Sequence, residues 1–515
     1  MPQCILILDF GAQYTQLIAR RVREAHVFCE VVPFCVSVEE IQRRKPVGLI
    51  LSGGPASVTD SDAPRVDPML YELGLPVLGI CYGMQLTAHT LGGVVERAKD
   101  REYGRVKVSF DTSVPLCTGM KPQSIMWMSH TYHVTQAPEG FSSIASSDNC
   151  AFCAMANPDK KIYAVQFHPE VTHSEEGSLL LQNFLYRICG CAGDWTMDAV
   201  IELAVSSIRS QVGENGRVML GLSGGVDSSV AAALISRAIG SRLTCVYVDH
   251  GFMRKGETDS VREVFTKQFP VNLIVCDAKK RFLDQIRGVS DPETKRKRIG
   301  AEFVSCFADE ARKLHSVTFL AQGTIYPDVI ESGCVKGSAV IKSHHNVGGL
   351  PDDVSQRFTG GVIEPLRMLF KDEVRRVGEA LGLPHDMVWR QPFPGPGLAI
   401  RIMGEVTEEK LFTVRESDAI LREEIAASGL DREVNQFFTV LTNTRTVGVM
   451  GDERTHEFVL AIRAVTTDDF MTVDWARLPY DLLSRISARI VNEVPHVNRI
   501  VYDVTTKPPA TVEWE

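Results

Sequence analysis

Cys81 sits in Gly79-Ile80-Cys81-Tyr82-Gly83, a nucleophile with a glycine two residues to either side. An apolar strand-like run, Pro76 to Ile80, ends at it, and a helical pattern, Met84 to Leu91, follows. This spacing predicts a thiol held above a sheet on a tight strand-to-helix turn. The helix N-terminus favours the thiolate. A thiol of pKa ~8.5 is about 3% ionised at pH 7, and one of pKa ~6 is about 90% ionised. That difference of about 2 kcal/mol is within reach of a helix end plus a histidine. The matching histidine is in Phe167-His168-Pro169-Glu170, where it closes another strand run, Lys161 to Phe167. Glu170 can orient the imidazole and stabilise its cation. The three residues suit acyl transfer, with Cys81 as nucleophile, His168 as base then acid, and Glu170 as orienter. Ser52-Gly53-Gly54-Pro55, also at a strand end, offers backbone N–H groups to an oxyanion, with the Tyr82 N–H as companion.

A second chemistry is written in Ser223-Gly224-Gly225-Val226-Asp227-Ser228-Ser229. The stretch follows an apolar run, Arg217 to Leu222, and opens a helical one, Val230 to Ala238. A glycine-rich turn there aims backbone N–H groups, and the positive end of the helix dipole, at an anion. The Gly-Lys-Ser/Thr ending of the kinase and GTPase loop is missing, so no loop lysine neutralises a transferring γ-phosphate. Backbone and hydroxyl groups alone suit pyrophosphate as a leaving group, and hence cleavage of ATP between its α and β phosphates.

Elements of matching type must position these groups. Apolar runs at Cys4–Leu8, 47–51 and 76–80 alternate with helical patterns, as do runs at 218–222, 243–248, 272–276 and 317–321. Apolar strands joined by helices imply parallel sheets covered on both faces. Asn157-Pro158-Asp159-Lys160 separates two strand runs as a hairpin turn would. The breakers of Pro392 to Gly397 mark a boundary, beyond which a strand run, Glu457 to Ala464, and a helix, 480–494, suggest a small α+β domain. The expected fold is α/β and multidomain: two doubly wound, mainly parallel-sheet domains over 1–190 and 191–391, then a small α+β domain over 392–515.

A length of 515 residues fits about three domains. The net charge of −9 argues against a nucleic-acid partner. No apolar run approaches the ~20 residues that span a bilayer. The N-terminus has no charged leader, and the thirteen cysteines are scattered, which together point to a reducing, cytoplasmic setting. Cys150-Ala151-Phe152-Cys153 has metal-knuckle spacing but no second pair to complete four ligands, so ordinary thiols are expected there, as at Cys189 and Cys191.

Residues 1–190 resemble class I glutamine amidotransferases, through Gly79-Ile80-Cys81-Tyr82-Gly83-Met84-Gln85 and Phe167-His168-Pro169-Glu170. Residues 223–229 resemble the phosphate loop of N-type ATP pyrophosphatases. In this order, and with Asp9-Phe10-Gly11-Ala12-Gln13-Tyr14, Lys342-Ser343-His344-His345-Asn346, Pro392-Phe393-Pro394-Gly395-Pro396-Gly397 and the ending Lys507 to Glu515, the whole chain is similar to the family of glutamine-hydrolysing GMP synthetases. The resemblance implies a ligase with two sites. Glutamine is hydrolysed through a Cys81 thioester, with Gly54, Tyr82 and Gln85 at the oxyanion and glutamine. ATP, with Mg2+, adenylates xanthosine monophosphate and releases pyrophosphate, and ammonia then displaces AMP to give GMP. Free ammonia in water is mostly ammonium, and an exposed adenylate would hydrolyse, so a sheltered passage between the sites is implied. By the same resemblance Lys342, His344 and His345 belong to a lid over ATP. Arg281, Gln436, Lys507 and Glu513 contact the substrate nucleotide, and the C-terminal domain forms a homodimer. The alternative is another ATP-pyrophosphatase amidotransferase with a different acceptor. One departure stands out: Ser129-His130-Thr131-Tyr132 replaces the family's Ser-His-Gly-Asp. With all three triad members intact, glutamine hydrolysis is still expected.

Overall fold

The computed structural model describes residues 2–12, 14–314, 316–333, 350–467 and 472–515. Two compact units form, one from residues 1–200 and one from most of the remainder.

The first unit carries nine strands: β1 (Cys4–Asp9), β2 (Phe28–Pro33), β3 (Gly48–Leu51), β4 (Val77–Ile80), β5 (Val94–Phe110), β6 (Gln123–Gln136), β7 (Ser142–Ser146), β8 (Ala154–Asn157) and β9 (Ile162–Val165). They make one sheet in the order β2-β1-β3-β4-β9-β8-β7-β5-β6. The first five in that order pair in parallel. The apolar runs of β1, β3, β4 and β9, Ile5–Leu8 among them, are buried, as strands covered on both faces must be. The other four strands extend this parallel-rich sheet by antiparallel pairing. The cause is legible in β6. Ser124, Met126, Met128 and His130 are buried while Gln123 and Ser129 are exposed, an alternation suited to a sheet covered on one face. Thr131 and Tyr132 lie within β6, with Tyr132 opposite Arg97, and both are good strand formers where glycine would be a weak one.

The second unit begins with β10 (Val218–Gly221), β11 (Leu243–Asp249), β12 (Asn272–Asp277), β13 (Phe319–Ala321) and β14 (Gly361–Ile363). The order is β12-β11-β10-β13-β14 and every pairing is parallel. The order reverses between β10 and β13, which opens a crevice beyond their C-terminal ends. Then come β15 (Gln436–Met450), β16 (Glu453–Thr466), β17 (Asp474–Trp475) and β18 (Val497–Tyr502), with β16 pairing with all three of the others. Helices Glu408–Ala427 and Tyr480–Glu493 pack against each other beside this sheet. One apolar cluster runs from Val246, Phe252 and Phe282 through Leu398 and Ile402 to Leu460 and Ile486. The proline-glycine block at 392–397 therefore interrupts the secondary structure, yet the core is continuous across it.

Buried cations secure the C-terminal residues. Lys295, fully buried, donates to the Ile402 carbonyl at 2.7 Å and to the Glu515 carboxylate. Arg401 and Arg463, also fully buried, pair with Glu513 at 2.9 Å and Asp503 at 3.3 Å. Removing one partner of such a pair leaves a buried charge uncompensated. Lys295→Met is accordingly expected to cost the second unit about 3 kcal/mol, read as a lowered denaturation midpoint, whereas an exposed control, Lys267→Met, should change it by less than about 0.5 kcal/mol.

Candidate active site

Four neighbouring parallel strands, β1, β3, β4 and β9, end at the same edge of the first sheet, and the loops that leave them carry the predicted glutamine site. Cys81 follows β4 directly and caps the helix Tyr82–Thr90 with φ 52°. A side chain with that backbone is strained, and here the strain aims the thiol away from the turn. The flanking glycines have a steric reason. A Cβ on Gly79 would meet the Gly83 carbonyl oxygen at 2.6 Å, and one on Gly83 would meet the Leu51 carbonyl oxygen at 2.3 Å. The Cys81 N–H bonds the Val165 carbonyl of β9 at 2.8 Å, which fixes the elbow against the strand that leads to His168.

His168 and Glu170 are both buried, with Nδ1 and Oε1 2.8 Å apart. Burial works against the imidazolium, but the hydrogen bonds to Cys81 and Glu170, with their charges, outweigh it and hold the His168 pKa up at about 10. Tyr14 packs edge-on against the ring, 5.3 Å between centroids. Gly53 lies against the nucleophile: a Cβ there would be 3.5 Å from His168 Cε1 and 3.7 Å from the Cys81 Cβ. Gly54 is next to Tyr82, 3.4 Å from its Cγ by the same construction. No protein acceptor takes the N–H of Gly54 or Tyr82 among the described residues. The Ser52 hydroxyl accepts the Phe10 N–H at 3.1 Å, and the Ser52 carbonyl accepts the Gly83 N–H at 3.1 Å, so the β1, β3 and β4 loops brace one another.

Two groups at the nucleophile escaped the sequence reading. Gln166 Nε2 donates to Cys81 Sγ at 3.7 Å, and the Ser129 carbonyl accepts from the thiol at 3.8 Å. Gln166 could have been found by alternation, because it lies two residues before His168 on the same strand exit. Gln85 stands behind the nucleophile. Its amide nitrogen bridges the Tyr132 carbonyl at 2.8 Å and Gln166 Oε1 at 3.2 Å, so it joins the helix to the segment where Thr131-Tyr132 departs from the family pattern.

In the second unit the Ser223–Ser229 turn leaves β10 at the reversal crevice and opens the helix Val226–Ile239. Gly224 adopts φ 75°. The Ser228 hydroxyl accepts the Ser223 N–H at 3.2 Å and donates to the Gly225 carbonyl at 3.1 Å, so the loop is held by its own side chains. Gly323, just past β13, closes the other wall, since a Cβ there would sit 3.4 Å from the Ser228 nitrogen. Cations absent from the loop arrive from elsewhere in the chain. Lys371 Nζ lies 2.7 Å from Asp227 Oδ1, and Arg390 donates to the Gly224 carbonyl while pairing with Glu257 at 2.5 Å. Lys342, His344 and His345 lie outside the described residues.

The proposed nucleotide contacts divide into three places. Gln436 Nε2 donates to Glu513 Oε1 at 3.0 Å, beside the Arg401 pair. Lys507 exchanges backbone hydrogen bonds with Val473 and lines an open groove with Asn435, Thr466, Thr472 and Asp474. Arg281 is engaged by Asp309 at 2.8 Å, Ser305 at 2.7 Å and Glu302.

Two outcomes follow. A histidine whose folded pKa is raised from 6.5 to about 10 contributes stability that is fully present below pH 6.5 and is lost as pH rises through about 10. The melting temperature of the first unit should fall across that window, and His168→Gln should flatten the fall; an unchanged slope would contradict a His168 cation held by its neighbours. In the second unit, Gly224→Ala forces a strained φ and places a Cβ 3.3 Å from Val261 Cγ2. A penalty of 1–2 kcal/mol at the phosphates should slow ATP–pyrophosphate exchange about tenfold while glutaminase turnover is retained.

Residues 6–188 match the family model "Glutamine amidotransferase class-I", 200–296 match "NAD synthase", and 423–514 match "GMP synthase C terminal domain". Proteins described as GMP synthase [glutamine-hydrolyzing] are 60% identical over 513 residues in Acetivibrio thermocellus and in Ruminiclostridium cellulolyticum, each alignment covering 100% of this chain and 99% of the relative. The corresponding protein of Finegoldia magna is 57% identical over 514 residues, with the same coverage. With a cysteine elbow and a phosphate loop at the ends of two parallel sheets, and this identity along its whole length, the chain belongs to the family of glutamine-hydrolysing GMP synthases.

Proposed function

We infer that the chain is a ligase that makes GMP with nitrogen taken from glutamine. The observation that carries this reading is the presence, in one chain, of a strained cysteine elbow paired to His168–Glu170 and a lysine-free phosphate loop at a sheet reversal.

At the first site the Cys81 thiolate attacks the glutamine amide carbon. The oxyanion is met by the Gly54 and Tyr82 N–H groups, and His168 passes its proton to the departing ammonia. His168 then takes a proton from water, which hydrolyses the thioester to glutamate. Glu170 keeps the ring oriented and its cation stabilised throughout. Gln166, whose amide donates to the sulfur, holds it in place. At the second site Ser223–Ser229 receives the β and γ phosphates of ATP while the xanthosine monophosphate C2 oxygen is adenylated. Ammonia then displaces AMP. Gln436 and Glu513, fixed by Arg401, read the base or ribose of the nucleotide, and Lys507 is suited to its phosphate. Arg281 can join them only by exchanging its present carboxylate partners. Magnesium is expected with ATP. The Asp227 carboxylate, half-buried in the first turn of the loop helix, is a hard oxygen donor of the kind it prefers. When bound, the ion neutralises phosphate charge and stabilises pyrophosphate as it leaves. A homodimer through the C-terminal domain and a cytoplasmic setting complete the proposal. No helix among the described residues is long and apolar enough to cross a membrane.

Cys81→Ala should lower glutamine-dependent GMP formation at least about 10³-fold while ammonia-dependent formation survives. Glutamine-driven synthesis in that variant would remove Cys81 from its role. ATP–pyrophosphate exchange that proceeds equally with every acceptor tried would remove xanthosine monophosphate as the substrate.

A further inference from the structure

Behind the wall of the glutamine site lies a group of polar side chains that the reaction does not use. Sheet pairing sets Glu102 of β5 directly opposite His130 of β6, with Oε2 and Nε2 3.1 Å apart. The turn between β7 and β8 brings Cys150 and Cys153 to the same carboxylate. One donor atom from each of Glu102, Cys150 and Cys153 lies within 4.8 Å of the other two. All four side chains are buried, with Glu102 4% exposed and the two cysteines 1% and 0%. Among the described side chains no lysine or arginine pairs with Glu102; its partners there are His130 and the Ser147 hydroxyl at 2.7 Å. A buried carboxylate without a cation is costly, and a metal ion would supply the missing charge.

We propose that Glu102, Cys150 and Cys153 form a binding site for a divalent cation of the zinc class. Two thiolates and a carboxylate are the mixed soft and hard donor set that such ions accept in tetrahedral sites. Binding releases the two thiol protons to solvent, so affinity falls as pH falls. His130, on the far side of the carboxylate, is a positioning residue that orients a ligand by hydrogen bond. Ser147, which donates to Glu102 and accepts the Cys150 N–H at 3.1 Å, ties the carboxylate to the cysteine turn. The cysteine spacing alone lacked a second pair; the strand register provides a carboxylate instead. The site is structural, and it is tied to the nucleophile by two short paths. His130 follows Ser129, whose carbonyl touches Cys81, and the Cys153 carbonyl accepts the N–H of Gln166, whose side chain touches Cys81.

The test uses reduced, chelator-stripped, full-length protein carrying Cys81→Ser, so that the catalytic thiolate cannot answer. Titration with Co2+ should develop thiolate-to-metal charge-transfer absorption and the visible bands of a tetrahedral site. Both should saturate near about one equivalent, and Zn2+ should displace the signal. Cys153→Ala and the nearly isosteric Cys150→Ser should abolish the bands, and His130→Gln should weaken affinity about 10–100-fold. Exchanging the exposed Cys35 for serine should change nothing. A folded protein that develops no bands under excess Co2+ overturns the proposal, as do bands that persist in folded Cys153→Ala.

Discussion

Parallel pairing of β3, β4 and β9 is the constraint on which the glutamine site rests. Parallel strands send all their C-terminal ends to one edge, so Ser52–Pro55, Cys81 and His168 meet there although 116 residues separate the first from the last. The pairing also explains the glycines. With β3 beside β4, the turn after Cys81 must pass under the Leu51 carbonyl, and only a residue without a side chain fits at Gly83. The strain at Cys81 persists because neighbours on both sides hold the turn by backbone hydrogen bonds, from Cys81 to Val165 and from Gly83 to Ser52.

The second unit repeats the device with a different product. Its all-parallel sheet reverses order beside β10, and the phosphate loop occupies the end of that strand. The loop has no lysine, yet the site is not poor in positive charge. Lys371 and Arg390 reach it from more than 140 residues along the chain. A backbone cradle whose cations come from distant segments differs from a loop with a built-in lysine, because here each cation is held by a carboxylate, Lys371 by Asp227 and Arg390 by Glu257.

The C-terminal residues show packing overriding a local expectation. A run with two adjacent prolines near a chain end is easily taken for a loose tail. Instead Glu513 and Glu515 are met by Arg401 and Lys295, cations that are themselves fully buried and would be costly without those carboxylates. The dependence is mutual, and it ties the C-terminal sheet to the helix Pro292–Lys313 of the parallel-sheet region.

The sequence by itself determined the chemistry and the local geometry that serves it. A cysteine between glycines at a strand end, a histidine two residues before a glutamate, and a glycine-serine turn before a helix are short-range patterns, because each depends on the conformation of a few adjacent residues. The parallel strands were legible for the same reason: a continuous apolar run is local. What only the tertiary structure decided depends on which distant strands become neighbours. The β5–β6 pairing, the Gln85–Tyr132 bridge, the approach of Lys371 to Asp227, and the gathering of Glu102 with Cys150 and Cys153 all arise from pairings between segments tens to hundreds of residues apart. Register and burial set those meetings. No spacing along the chain encodes them, because the free energy that selects one partner over another belongs to the packed core as a whole.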